Sequence, residues 1–123
     1  MVQRLLVSVV DDDESVRESL PDLLREFGFA VQAFSSAEEF LASQYVRETK
    51  CLILDIGLPG KSGPDLQREL ARQKLAIPII FITAQEAAAV RTRANLRGAV
   101  DCLIKPFSDT ALKEALDAAL REK

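Results

Sequence analysis

Apolar runs alternate with helix-period segments along the whole chain. Leu5 to Val10 reads L-L-V-S-V-V, a β-branched run of the buried-strand type. It stops at the acidic cluster Asp11-Asp12-Asp13-Glu14. Val16, Leu20, Leu23, Leu24 and Phe27 then recur at helical spacing as far as Gly28, a helix stop signal. Pro21 falls inside this helix, where it removes a backbone donor and predicts a kink. Phe29 to Phe34 reads as a second strand. Ser36 with Glu39 matches a capping box and opens a short helix through Phe40 and Leu41. Cys51 to Ile56, C-L-I-L-D-I, is the third strand; Pro59, Gly60 and Gly63 mark a loop, and Pro64 suits the first turn of the next helix.

Pro78 opens the fourth strand, I-I-F-I-T, and the Ala-rich segment from Gln85 to Arg97 predicts a helix ended by Gly98. Cys102 to Lys105 is a short fifth strand broken by Pro106. Ser108 caps a last helix with Ala111, Leu112, Ala115, Leu116, Ala119 and Leu120 inward. Five strands alternate with five helices, with no linker or internal repeat. That order predicts an α/β fold, a doubly wound parallel sheet with helices on both faces. In such sheets the ligand site lies beyond the carboxyl ends of the strands, at a topological switch point.

Composition narrows the chemistry. The 123 residues, 48% hydrophobic and 28% charged, suit one folded domain spanning residues 1–123. A net charge of −3, from 16 basic and 19 acidic residues, gives no electrostatic reason to expect nucleic-acid binding by this segment. No apolar run approaches the roughly 20 residues of a membrane span, and the first residues lack the pattern of a signal peptide. Cys51 and Cys102 each sit in an apolar run and read as buried core thiols of a reducing, cytoplasmic compartment. Histidine is absent, which excludes Ser-His-Asp and Cys-His catalysis, histidine metal sites and a phosphohistidine on this chain. Chemistry falls to carboxylates, Lys, Thr or Ser.

Polar residues collect where strands stop: Asp11 and Asp12 after the first, Asp55 at the end of the third, Thr83 on the fourth and Lys105 on the fifth. The predicted fold brings all five to one end of the sheet. Singly, each has a plainer reading: an acidic first helical turn favoured by the macrodipole, a strand-end threonine, a surface lysine. Asp55 at the end of C-L-I-L is the hardest to explain that way. Three carboxylates brought together repel, so one stays protonated or a cation joins them. Hard oxygen ligands in an open site favour Mg²⁺. Mg²⁺ beside a carboxylate suits phosphoryl transfer, with Asp55 as nucleophile and Lys105 and Thr83 on phosphoryl oxygens.

The segments V-V-D-D-D-E-S-V-R, L-D-I-G-L-P-G-K-S-G, F-I-T-A and I-K-P-F resemble, in order and spacing, the four signature blocks of response-regulator receiver domains of two-component signalling. R-E-S-L, S-A-E-E-F-L and G-A-V-D resemble the FixJ-like branch. The resemblance implies a flavodoxin-like (βα)5 fold with strand order 2-1-3-4-5. It implies Asp55 as phosphoacceptor, Asp12 as a direct Mg²⁺ ligand, Asp11 acting mainly through water, and the Gly57 carbonyl as a main-chain ligand. Thr83 matches the switch hydroxyl, Lys105 the phosphate-binding lysine, and Lys105–Pro106 a peptide bond commonly cis in the family. It further implies a histidine kinase as phosphoryl donor and a phosphorylation-dependent partner or homodimer surface on the fourth helix, fifth strand and fifth helix. A C-terminal DNA-binding output domain controlling transcription would be expected outside these residues.

Two departures from the family stand out. Cys102 stands where an aromatic residue usually takes part in switching, and Gly57 and Gln85 flank the path of attacking water. Arg91, Arg93 and Arg97 against Glu114, Asp117 and Glu122 read either as solvated faces or as that partner surface. A haloacid-dehalogenase-type phosphohydrolase would also form an aspartyl phosphate, but it places an Asp two residues after the nucleophile, where this chain has Gly57. A receiver used as a binding module without phosphorylation is the third alternative. No G-x-G-x-x-G or P-loop motif supports nucleotide binding.

Overall fold

A computed structural model describes residues 4–94 and 99–121. In chain order the elements are β1 (Leu6–Val10), α1 (Glu14–Glu26), β2 (Ala30–Phe34), α2 (Ala37–Leu41), a single 3-10 turn (Val46–Glu48), β3 (Thr49–Asp55), α3 (Gly63–Arg72), β4 (Ile79–Thr83), α4 (Glu86–Arg93), β5 (Asp101–Ile104) and α5 (Asp109–Leu120). All strand pairs are parallel, in the order β2-β1-β3-β4-β5. The predicted fold class and strand order are both observed.

Side-chain alternation explains why the strands read as continuous apolar runs. Val7, Val9, Ile53, Ile80, Ile82 and Leu103 pack with Leu20 and Leu24 of α1 and Leu112 and Leu116 of α5. The intervening Val10, Leu52, Leu54, Phe81 and Cys102 pack on the other face with Phe40, Leu66, Leu70 and Ala89 of α2, α3 and α4. Both faces are covered, so neither parity is polar. Each large side chain fully buried here contributes roughly 1.5–3 kcal/mol. Ser8, buried in β1, is satisfied: its Oγ lies 2.7 Å from the Thr49 Oγ1, which itself donates to the Tyr45 carbonyl.

Helix ends follow local chemistry. Asp13 caps α1 through the Ser15 N–H. At the other end, Gly28 has φ +100°, with Gly28 N–H on the Arg25 carbonyl and Phe29 N–H on the Leu24 carbonyl, a Schellman closure. α3 closes in the same way with Lys74, not glycine, at φ 62°. The helix runs unbroken through the buried Pro21. Ser36 caps α2 as predicted, but Glu39 reaches the Ser35 N–H instead of the cap residue's own. The full capping box is Ser62 with Asp65 at α3.

Strand and helix limits differ from expectation at two places. β3 begins at Thr49 and ends on Asp55. β5 covers Asp101–Ile104, one residue earlier than predicted, because Asp101 already pairs beside Ile80. Lys105 N–H still reaches the Thr83 carbonyl at 2.7 Å, and Pro106, joined by a cis bond, supplies no further donor. α4 is described from Glu86, with Gln85 as its cap residue. Arg97, Gly98 and Glu122 lie outside the described residues. Among the described residues no helix is long and apolar enough to cross a membrane.

Candidate functional site

The ends of β1, β3, β4 and β5 bring Asp11, Asp55, Thr83 and Lys105 to one edge of the sheet. Parallel pairing makes this a consequence of register, since Val10 pairs beside Leu54, Asp55 beside Ile82 and Thr83 beside Ile104. Asp11 follows directly after β1 and is fully buried. Its Oδ1 accepts the Asp13 N–H at 2.9 Å and its Oδ2 accepts the Lys105 Nζ at 2.9 Å. The Arg17 side chain donates to the Asp11 carbonyl from α1. Asp12 is exposed.

Asp55 ends β3 and is buried to 9% exposure. Its Oδ1 accepts the Gly57 N–H at 3.2 Å, and its Oδ2 lies 3.8 Å from Lys105 Nζ. One carboxylate oxygen each from Asp11, Asp12 and Asp55 lies within 4.8 Å of the others. Burial, chiefly, and the Asp11 charge push the Asp55 carboxyl up to about 6, against the opposing pull of the Gly57 N–H and Lys105. For Lys105, burial works to lower the pKa, but the Asp11 bond and the charges of Asp55, Asp11 and Asp13 outweigh it and hold it above the ordinary value. Three carboxylates against one ammonium leave an excess of negative charge. An all-oxygen donor set of this kind fits a hard divalent cation.

Asp13 belongs to the acidic run yet serves α1. Its Oδ1 takes both the Ser15 N–H and hydroxyl, so the cluster divides into a helix cap and site residues. Thr83 is buried, with its Oγ1 accepting the Gln85 N–H at 3.1 Å. Gly57 is exposed, and a Cβ there would meet nothing within 4 Å. Cys102 is fully buried on β5 beside Phe81. A concavity of about 540 Å³ lined by Lys74, Ile77, Pro78, Val100 and Ala119 opens at the opposite end of the strands, away from these residues.

Three supporting residues were not foreseen. Gly63 opens α3 so close to Asp55 that a Cβ would stand 2.9 Å from the Asp55 carbonyl and 3.1 Å from the Ile56 Cα. Glu38 of α2 accepts the Lys61 N–H at 3.1 Å and braces the loop after Asp55, where Gly60 has φ +72°. No sequence signal links residues 23 apart in this way. Arg93 of α4 donates to the Cys102 carbonyl at 2.9 Å. The capping box of Ser62 with Asp65, also not foreseen although its spacing is visible in the sequence, fixes where the loop ends.

The sequence matches the response regulator receiver domain family over residues 7–117. Nodulation protein W of Bradyrhizobium diazoefficiens is 50% identical over 116 residues, 94% of this chain and 51% of that protein. Transcriptional regulatory protein FixJ of Rhizobium meliloti is 42% identical, over 92% of this chain and 55% of its own. The chain thus spans about half the length of these curated relatives. The crystal structure of FixJ-N superposes with a TM-score of 0.82 at 40% identity, covering 99% of this chain and 98% of that one. The response regulator StyR gives 0.86 at 43% identity, over 97% and 60%. With the fold, the strand-end residues and these relatives in agreement, the chain belongs to the response regulator receiver domain family.

Proposed function

We propose that residues 1–123 act as one phosphoacceptor unit in which Asp55 receives a phosphoryl group from a histidine kinase. The observation that carries this reading is the Asp11–Lys105–Asp55 geometry: a single ammonium bonded to one carboxylate and 3.8 Å from the other. In the transfer, an Asp55 oxygen bonds to phosphorus while the phosphorus–nitrogen bond of the donor breaks, and the donor imidazole leaves with that electron pair. Lys105 is placed to pair with a phosphoryl oxygen, and the Thr83 hydroxyl to donate to another.

Asp11, Asp12, Asp55 and the Gly57 carbonyl would hold Mg²⁺, with Asp12 as direct ligand and Asp11 acting mainly through water. When bound, the ion supplies charge neutralisation on the phosphoryl oxygens. The chain is a signalling switch that promotes only its own phosphorylation and slow dephosphorylation. Its output would be a partner or homodimer surface on α4, β5 and α5, which bears Arg91, Arg93, Glu114 and Asp117 at the surface. The relatives named as transcriptional regulatory proteins, of which this chain spans little more than half, support a cytoplasmic regulator with a DNA-binding output domain beyond these residues.

Incubation with a phosphorylated histidine kinase tests the reading. Hydroxylamine-sensitive label should appear on the wild type and be absent from Asp55→Asn. Label on Asp55→Asn equal to the wild type would place the acceptor elsewhere.

A further inference from the structure

β5 is an edge strand, and an edge strand leaves backbone donors and acceptors unpaired on its outer side. At Cys102 both groups are occupied. The Asp101 Oδ1 accepts the Cys102 N–H at 2.7 Å, and the Arg93 Nε donates to the Cys102 carbonyl at 2.9 Å. Arg93 and Asp101 also approach each other, Nε to Oδ1 3.5 Å. The three contacts close a ring that joins the last turn of α4 to the edge of β5. Ala89 of α4 packs in the same core cluster as Cys102.

At the other end of α4, the Gln85 cap residue donates to the Thr83 hydroxyl oxygen. α4 is therefore tied to the site at its start and to β5 at its end. Arg93 is the side chain that makes the tie to β5 at the far end of the helix.

We propose that Arg93 is a positioning residue of the switch: it latches the last turn of α4 to the edge of β5 through Cys102 and Asp101, and phosphorylation of Asp55 releases this latch. The release step rests on the phosphoacceptor reading, whereas the latch itself stands on the unphosphorylated geometry. The exposed partner surface on α4 and β5 is then held in one arrangement until the bond to the Cys102 carbonyl is lost.

The two cysteines test this directly. Cys102 lies in the core under α4, and Cys51 lies in the core under α1 and α5; both are fully buried. Alkylation of Cys102 reports local opening of α4, and alkylation of Cys51 reports opening elsewhere. Site-resolved alkylation is measured by mass spectrometry on wild type, Arg93→Ala and Asp101→Asn, before and after treatment with acetyl phosphate and Mg²⁺. Arg93→Ala should speed Cys102 alkylation about tenfold, the size expected for losing a charge-assisted bond, and leave Cys51 unchanged, with phosphoryl uptake no lower than in the wild type.

In labelled wild type Cys102 should also speed up, while in Arg93→Ala labelling adds little. Asp101→Asn retains an acceptor for the Cys102 N–H but no charge for Arg93, so Cys102 alone should speed up by a smaller factor. This arm decides the matter if Arg93→Ala folds poorly. An unchanged Cys102 rate, or equal acceleration of both thiols, overturns the latch. Labelling that accelerates Cys102 by the same factor in wild type and Arg93→Ala overturns the release step. Absence of label on wild type instead contradicts the phosphoacceptor reading, and the unlabelled rates then judge the latch alone.

Discussion

Lys105 and Asp11, 94 residues apart in sequence, form an ion pair at 2.9 Å whose carboxylate is fully buried. The pair joins the end of β5 to the end of β1 across the two strands between them. A buried carboxylate with no partner is far more costly than one that is paired. Lys105 therefore supports the sheet end as well as facing Asp55.

Lys105→Met should abolish phosphoryl uptake and destabilise the fold by roughly 1–3 kcal/mol at neutral pH, since it removes a charge-assisted bond to a buried group. Acetyl phosphate labelling measures the first effect and urea unfolding the second. A loss of uptake with an unchanged urea midpoint would limit Lys105 to the phosphoryl group.

The Asp55 carboxyl gives a second pH signature. Its folded pKa of about 6 exceeds the ordinary 3.8, so between these values the folded state binds more protons than the unfolded state. Its contribution is full below the ordinary value and is lost as pH rises through about 6. Asp55→Asn cannot ionise there, so its stability advantage over wild type should grow from pH 4 to above 6 in the absence of metal. Adding Mg²⁺ should shrink that advantage, and Mg²⁺ affinity should weaken below pH 6 as the proton competes. An advantage independent of pH would contradict the burial of the Asp55 carboxyl, and with it the placement beside Asp11.

The acidic run should divide by function. Asp13→Ala removes the α1 cap and should lower the unfolding midpoint by a few degrees without changing phosphoryl uptake. Asp12→Ala, at an exposed position with no cap bond, should leave the midpoint nearly unchanged and weaken Mg²⁺ binding and uptake. Thermal melts and uptake assays on the two variants separate the roles. Equal effects on uptake would mean that the cap and the site act as one unit.

Much of this arrangement was legible before any coordinates. Alternating apolar runs predicted the sheet, because strands covered on both faces read as unbroken V, I, L and F. The strand-end residues predicted the site, because parallel register delivers all strand ends to one edge. What the sequence could not show depends on contacts between distant segments: Glu38 on Lys61, Arg93 on Cys102, and Gly63 against Asp55. Gly63 read as a loop marker, whereas its reason is the approach of α3 to the backbone of Asp55 and Ile56. Within the Asp11 to Glu14 run the sequence pointed to Asp11 and Asp12 as site residues but did not show that Asp13 caps α1, since all four are acidic.

The end of α3 gives a prediction for the same reason. A helix stop without glycine carries no clear sequence signal, and here Lys74 takes the left-handed conformation that glycine normally fills. Lys74→Gly should stabilise the fold by about 0.5–1 kcal/mol, read as a higher urea midpoint. A lower midpoint would mean that the lysine stem packs more favourably than its backbone strain costs.

The central claim, that Asp55 accepts a phosphoryl group in a metal-dependent reaction, is tested most directly by acetyl phosphate labelling with and without Mg²⁺ on wild type and Asp55→Asn. The account predicts hydroxylamine-sensitive label, at most one phosphoryl group per chain, on wild type with Mg²⁺ alone. An unlabelled wild type, or label that persists in Asp55→Asn, would contradict it.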